Sequence, residues 1–206
     1  MSLQEEEYNE KIKIMIIGDS NVGKTSIIKR FCKNEFSPSF ISSIGIDYES
    51  KYINIDKKVI NLQLWDTAGQ ERYRVLARNY YKQSDAFMII YDITSRETFN
   101  SINNWIEQIK ENASNSVKYS LLGNKCDLEE MRQVQKDEGY ELAKRNDVEF
   151  YETSAQKGKN IEKAFINLAK KILSDNNFRS ESECSSSISK KLNKNNNNDN
   201  APKKCC

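Results

Sequence analysis

Ile12-Lys13-Ile14-Met15-Ile16-Ile17-Gly18-Asp19-Ser20-Asn21-Val22-Gly23-Lys24-Thr25 joins a nearly continuous apolar run to a loop bounded by glycines, and the loop to a helix-period segment starting near Gly23. A run this apolar reads as a strand covered on both faces, as a central strand of a parallel sheet must be. The loop, Gly18 to Thr25, matches G-x-x-x-x-G-K-[ST] in the strand-loop-helix context that its chemistry needs. Backbone N–H groups from Ser20, Asn21, Val22 and Gly23 and the positive end of the following helix suit the phosphates of a nucleotide. Lys24 reaches the outer phosphates, and the Thr25 hydroxyl suits Mg2+. The loop leaves open which nucleotide it holds.

Outward from this stretch, β-like and helical segments alternate from Lys11 to about Leu173, the pattern of an α/β fold. Ala86 to Tyr91 and Ser120 to Leu122 repeat the buried-strand signature, and Glu149 to Tyr151 supplies a short last strand. Tyr48 to Ile55 and Val59 to Trp65 alternate apolar and polar residues around Asp56-Lys57-Lys58, which predicts an antiparallel hairpin. Helices are expected from about Gly23, Arg72, Arg96, Gln133 and Asn160; the last sets Ile161, Phe165, Leu168 and Ile172 on one face. The expectation is a six-stranded, mostly parallel sheet with one antiparallel strand and about five flanking helices.

Three segments follow: an acidic extension over 1–10, a domain over 11–173 and a tail over 174–206, rich in Ser, Asn and Lys and too poor in apolar residues to order itself. The chain of 206 residues carries 32 Lys plus Arg against 30 Asp plus Glu; the tail's six basic and four acidic residues account for the net charge of +2. Such a balance gives no broad footprint for nucleic acid. With 0 histidines there is no Ser-His or Cys-His pair, so chemistry must rest on carboxylates, amides, hydroxyls, lysine or a bound ion. The 5 cysteines lack CxxC spacing, which argues against zinc and disulfide frameworks. No apolar run approaches the ~18 residues of a membrane span, and residues 1–10 do not resemble a signal peptide, so a cytosolic chain is expected.

Two further motifs narrow the nucleotide. Asn124-Lys125-Cys126-Asp127 follows a strand and so belongs at the same sheet edge as the phosphate loop. An ionised Asp127 can accept from the N1–H and 2-amino groups of guanine, a donor pair adenine lacks, which opposes an ATP-using kinase or ATPase. Asp66-Thr67-Ala68-Gly69-Gln70-Glu71 follows another strand: Asp66 suits Mg2+ through water, the Gly69 N–H suits a γ-phosphate, and Gln70 can orient an attacking water.

With these motifs and Glu152-Thr153-Ser154-Ala155-Gln156 in order, the chain resembles the Ras superfamily of small GTPases, hence a P-loop GTPase domain. Ile44-Gly45-Ile46-Asp47-Tyr48, Gln70-Glu71-Arg72-Tyr73, Tyr80-Tyr81 and the terminal Cys205-Cys206 resemble the Rab branch, and the wording around Asn104-Trp105-Ile106 is most similar to exocytic Rabs. The resemblance implies GTP/GDP and Mg2+ as ligands. Phe36 stacks on guanine, Lys125 lies along its other side, and the Ala155 N–H meets the 6-oxo group; Ser26, Asn124, Leu128, Ser154 and Gln156 complete the nucleotide site. Thr25, Ser43 and Asp66 form the metal set, and Gln70, Lys24 and Gly69 the catalytic one. Switch segments span about 37–45 and 68–81, and Ile44, Tyr48, Trp65, Tyr73 and Tyr80 form the effector surface. Plain packing on the sheet is the lesser alternative for Tyr48, Trp65 and Tyr80.

Three positions depart from the family's usual wording. Ser43 replaces Thr, keeping the hydroxyl but losing a methyl that restricts the rotamer, which predicts a looser GTP-state switch. Tyr48 replaces Phe, adding a polar tip, and Gln156 replaces Lys where the backbone makes the contact. The resemblance further implies slow intrinsic hydrolysis by a monomer. It implies an exchange factor, an activating protein, a GDP-dissociation inhibitor or escort protein, GTP-dependent effectors, and geranylgeranyl groups on Cys205 and Cys206. The chain would cycle between cytosol and the cytoplasmic face of a secretory-pathway, vesicle or plasma membrane. A GTPase-like interaction module that binds nucleotide without cycling is the alternative.

Overall fold

Strand β1 (Glu10–Ile17), helix α1 (Lys24–Lys33), strands β2 (Ile46–Ile55) and β3 (Lys58–Thr67), helix α2 (Arg74–Gln83) and strand β4 (Ala86–Asp92) make the first half of the chain. Helices α3 (Arg96–Asn100) and α4 (Ile102–Asn112), strand β5 (Lys118–Asn124), a 3-10 turn (Glu129–Met131), helix α5 (Lys136–Arg145) and strand β6 (Glu149–Glu152) follow, and helix α6 spans 161–175. The computed structural model describes residues 8–37, 46–67, 74–114 and 116–175, with backbone alone at 46 and 74–78. It divides into compact units Met1–Lys170 and Lys171–Cys206; of the second, 171–175 are described, and they are helical.

The sheet order is β2-β3-β1-β4-β5-β6, with β2 antiparallel to β3 and the other pairs parallel. The predicted α/β class, strand number and single antiparallel strand are therefore observed. Apolar content dictates the layering. Every residue of β4 is buried, and Ile12 and Ile14 to Ile17 of β1 are buried too, because helices cover both faces of these central strands. On one face Met15, Phe87, Ile89 and Tyr91 pack with Ile102, Ile106 and Ile109 of α4 and with Leu142 and Ala143 of α5. Elsewhere Phe31 of α1 stacks on Phe165 of α6 with ring centroids 4.1 Å apart.

Several boundaries differ from the sequence reading. The β5 strand runs from Lys118 to Asn124 rather than over three residues, so Asn124 is the strand's last residue. The segment from Arg96 is two helices meeting at Ser101, which gives five helical regions with the third in two pieces. The helix expected from Gln133 starts at Lys136, because the Gln133 and Val134 N–H groups both donate to the Ile93 carbonyl. Pairing already begins at Asn9, whose N–H donates to the Val59 carbonyl, and the hairpin turns through Asp56 and Lys57, both at positive φ.

Candidate active site

Register gathers the site. Ile16 lies beside Asp66 across β1 and β3, Ile17 beside Ile89 across β1 and β4, Asp92 beside Asn124 across β4 and β5, and Gly123 beside Glu152 across β5 and β6. The segments that leave these strand ends, 18–25, 66–67, 124–128 and 153–156, therefore emerge along one edge of the sheet, where open α/β sheets bind ligands.

The phosphate-type loop is shaped by its glycines. Gly18 has φ +143°, and a Cβ there would lie 2.2 Å from the Ile90 carbonyl oxygen; Gly23 has φ +95°, and a Cβ would lie 2.5 Å from Asn124 Nδ2. Any side chain at either point would meet a filled neighbour in a strained backbone. Gly23 also leaves α1 without a side-chain cap, so the helix presents its first-turn N–H groups to the loop. Lys24 is 6% exposed and donates to the Gly18 and Asp19 carbonyls at 2.9 and 2.7 Å. Burial pushes its amine down to about 8, against the opposing pull of Asp66 and Asp19. Thr25 donates its hydroxyl to Asp66, which is 4% exposed, so two hard oxygen donors from separate motifs meet at the loop's base. Ser26 follows on α1, and Ser20 and Asn21 lie exposed at the loop's crest.

The second half of the edge is braced from within. Asn124 is 1% exposed, and its amide donates to the Val22 carbonyl at 2.8 Å and accepts from the Thr153 hydroxyl. It holds the phosphate-type loop against the β5 end from behind. Lys125 takes φ +65° and pairs with Asp92 at 2.6 Å. The Cys126 N–H donates to the Thr153 carbonyl and the Thr153 N–H to the Gly123 carbonyl, locking the Asn124 to Asp127 turn to the segment after β6. Asp127 is half-buried beyond that lock, and Leu128 and Phe36 are exposed. Ser154 accepts from the Lys157 N–H, Ala155 is buried, and the Ala155 and Gln156 carbonyls accept from Arg30 on α1.

Tyr48, Trp65 and Tyr80 form a row, with centroids 5.2 Å apart between the first two and 4.9 Å between the last two. Trp65 and Tyr80 pack against the core while Tyr48 is 43% exposed, so the row is anchored at one end and open at the other. Ser43, Ile44, Gly69, Gln70, Tyr73, Cys205 and Cys206 lie outside the described residues. Among the described residues no group of three or more His, Cys, Asp or Glu side chains is placed to hold a metal ion by itself, and no helix is long and apolar enough to cross a membrane.

Sequence reasoning missed Asp92 as the partner of Lys125, Arg30 as the support of the Ala155 loop, and Trp105, whose indole reaches Asp19. A polar residue at the end of an all-buried strand marks Asp92; for Arg30 and Trp105 the linear sequence holds no signal.

Residues 13–174 match the model of the Ras family. The chain is 45% identical over 166 residues to the Ras-related protein Rab-13 of Canis lupus familiaris, covering 81% of this chain and 82% of that one. It is 46% identical to Rab-8B of Homo sapiens, covering 81% and 80%, and 47% identical to Rab-8 of Diplobatis ommata, covering 81% and 79%.

Proposed function

From the premise that the chain belongs to the Ras family and, within it, to the Rab branch of small GTPases, which bind GTP and GDP and switch steps of membrane trafficking, we propose that it hydrolyses GTP slowly and recruits effectors while GTP is bound. The observation that carries this reading is the shared edge. A buried lysine and a Thr25–Asp66 pair lie at one end of it, and a braced Asn124-to-Asp127 turn with the Ala155 loop lies at the other.

Each residue then has a task set by its chemistry. The loop N–H groups and Lys24 neutralise phosphate charge, Asp127 selects guanine by accepting two donors, and the Ala155 N–H meets the 6-oxo group. Phe36 and Lys125 flank the base, and Asp92 holds Lys125 in place. Thr25 and Asp66, with Ser43, would hold Mg2+; hard oxygen donors without imidazole or thiolate fit that ion. When bound it would supply positive charge beside the phosphates. Gln70 orients water toward the γ-phosphate and Gly69 bonds that group, so catalysis is positioning and charge neutralisation, and the absence of histidine is no obstacle.

Tyr48, Trp65 and Tyr80, with Ile44 and Tyr73, form the surface that effectors read. A guanine-nucleotide exchange factor, a GTPase-activating protein and a GDP-dissociation inhibitor or escort protein regulate the cycle. Geranylgeranyl groups on Cys205 and Cys206 anchor the chain at the cytoplasmic face of exocytic membranes, since stable anchoring takes two lipid signals. The folded domain occupies about 11–173 and the tail 174–206.

Purification, denaturation and chromatography of the released nucleotide test the reading. GDP at close to one per chain is expected; an adenine nucleotide would reject it. Single-turnover hydrolysis by wild type and Gln70→Leu then separates a cycling switch from a static interaction module, because only a cycling switch loses turnover on that substitution.

A further inference from the structure

We propose that Arg30 is a positioning residue for guanine recognition: from α1 it holds the Ala155 loop in the register that lets the Ala155 N–H meet the 6-oxo group. This rests on the assignment of that N–H given above. The Arg30 guanidinium donates from Nε to the Ala155 carbonyl at 2.8 Å and from a terminal nitrogen to the Gln156 carbonyl at 3.1 Å. Its other terminal nitrogen donates to the Asn34 carbonyl and side-chain oxygen at 2.9 and 3.0 Å. Its stem lies beside the loop, in ordinary van der Waals reach of a Cβ placed on Gly158, 3.8 Å from Arg30 Cδ.

Two consecutive carbonyls held by one planar fork fix both peptide planes that follow Ala155. The loop's ends are tied separately. Ser154 and Lys159 exchange backbone hydrogen bonds, Lys157 caps onto the Ser154 hydroxyl, and Thr153 is bonded to Gly123 and Cys126. The Ala155 N–H lies in the peptide plane just before these two, whose Ser154 carbonyl accepts from the Lys159 N–H, so Lys159 and Arg30 bracket it on either side of the Ala155 Cα; Asn34, in the left-handed conformation just past the helix end, clamps the guanidinium in turn. Lys24 begins the same helix, six residues or roughly 9 Å earlier along its axis. One rigid element therefore sets both the phosphate grip and the base loop. At Gln156 the backbone carbonyl makes the contact with Arg30.

The test compares release rates of GDP and 6-thio-GDP, whose sulfur is a poorer acceptor than oxygen while N1–H and the 2-amino group are kept, from full-length wild type, Arg30→Ala and Arg30→Lys. Wild type is expected to release the thio analogue several-fold faster than GDP. Arg30→Ala should release GDP about tenfold faster and bring the ratio of the two rates close to one. Arg30→Lys, with a single donor group, should fall between, and it carries the test alone if Arg30→Ala does not fold. Equal acceleration of both nucleotides with the ratio preserved would make Arg30 a merely structural brace and overturn the proposal. A wild type that does not distinguish the two nucleotides would instead overturn the Ala155 assignment, and the proposal with it.

Discussion

Trp105 of α4 donates its indole N–H to the Asp19 carboxylate at 2.8 Å, joining positions 86 residues apart and tying the helix layer to the crest of the phosphate loop. A hydrogen bond to a charged acceptor contributes roughly 1.5–3 kcal/mol, less where it is partly solvated. Trp105→Phe keeps most of the ring packing and removes the donor, so a loss of ~1–2 kcal/mol is expected in urea unfolding. A double-mutant cycle with Asp19→Ala should return a coupling of about 1 kcal/mol; coupling near zero would show that the bond contributes nothing.

The Lys24 amine gives a pH signature. It titrates at about 8 in the folded chain against an ordinary value of 10.5, because burial disfavours its charge. Between those values the unfolded chain holds more protons, so this group's contribution to stability rises with pH across that window. Phosphates arriving beside the amine restore its charge. GDP binding at pH 9 should then take up on the order of one proton, and at pH 7 close to none. Calorimetry in buffers of different ionisation heats measures this, and a binding enthalpy independent of buffer at pH 9 would contradict it.

Asn124→Ala removes the donor to the buried Val22 carbonyl and the acceptor for Thr153. Leaving such groups unpaired costs about 1–3 kcal/mol each, and the phosphate loop loses its brace. The expected result is a lower melting temperature together with faster GDP release. A variant that melts lower yet keeps wild-type release would show that the brace serves the fold alone.

Arg132 and Glu152 form an ion pair with both side chains only 9% exposed, and Arg132 also donates to the Val134 carbonyl. Breaking a buried pair by removing one partner typically costs about 3–5 kcal/mol, whereas an exposed pair contributes about 0–1 kcal/mol. The pair is partly buried, so Glu152→Ala should cost an amount between those limits. Glu129, which pairs with the same arginine but is 67% exposed, should tolerate Ala with little change. Equal losses at the two sites in denaturant titrations would refute the distinction.

Tyr91 is buried in β4 with a hydroxyl that has no hydrogen-bond partner among the described residues. Burial and the Glu152 charge push that phenol well above its usual range. Removing an unpartnered buried hydroxyl should be neutral or stabilising by ~1 kcal/mol, so Tyr91→Phe is expected to melt at or above wild type. A clear fall in melting temperature would mean that the hydroxyl has a partner.

The architecture was legible because hydrophobic period is a local signal. The run from Ile12 to Ile17 and the all-apolar start of β4 can hardly be anything but covered strands, and the glycine-bounded loop between β1 and α1 fixes which sheet edge matters. Boundaries were less legible where tertiary bonds decide them. Nothing local shows that Gln133 and Val134 are committed to the Ile93 carbonyl, or that β5 continues through Gly123 into Asn124. Motif residues such as Lys24, Thr25, Asp66 and Asp127 announced themselves through their spacing. Their supports did not: Trp105, Arg30 and Asp92 act through bonds between distant segments, whose separation along the chain carries no information about contact.

Because β2 runs antiparallel to β3, the turn at Asp56 and Lys57 lies at the end of the sheet opposite the loops that emerge after β1, β3, β4, β5 and β6. Asn9, bonded to Val59, enters at that same far end. The molecule thus has a working pole and an idle one, and a fluorescent reporter or affinity handle spliced between Asp56 and Lys57 would ride on the idle pole, leaving the opposite edge free for imaging or capture of the working protein.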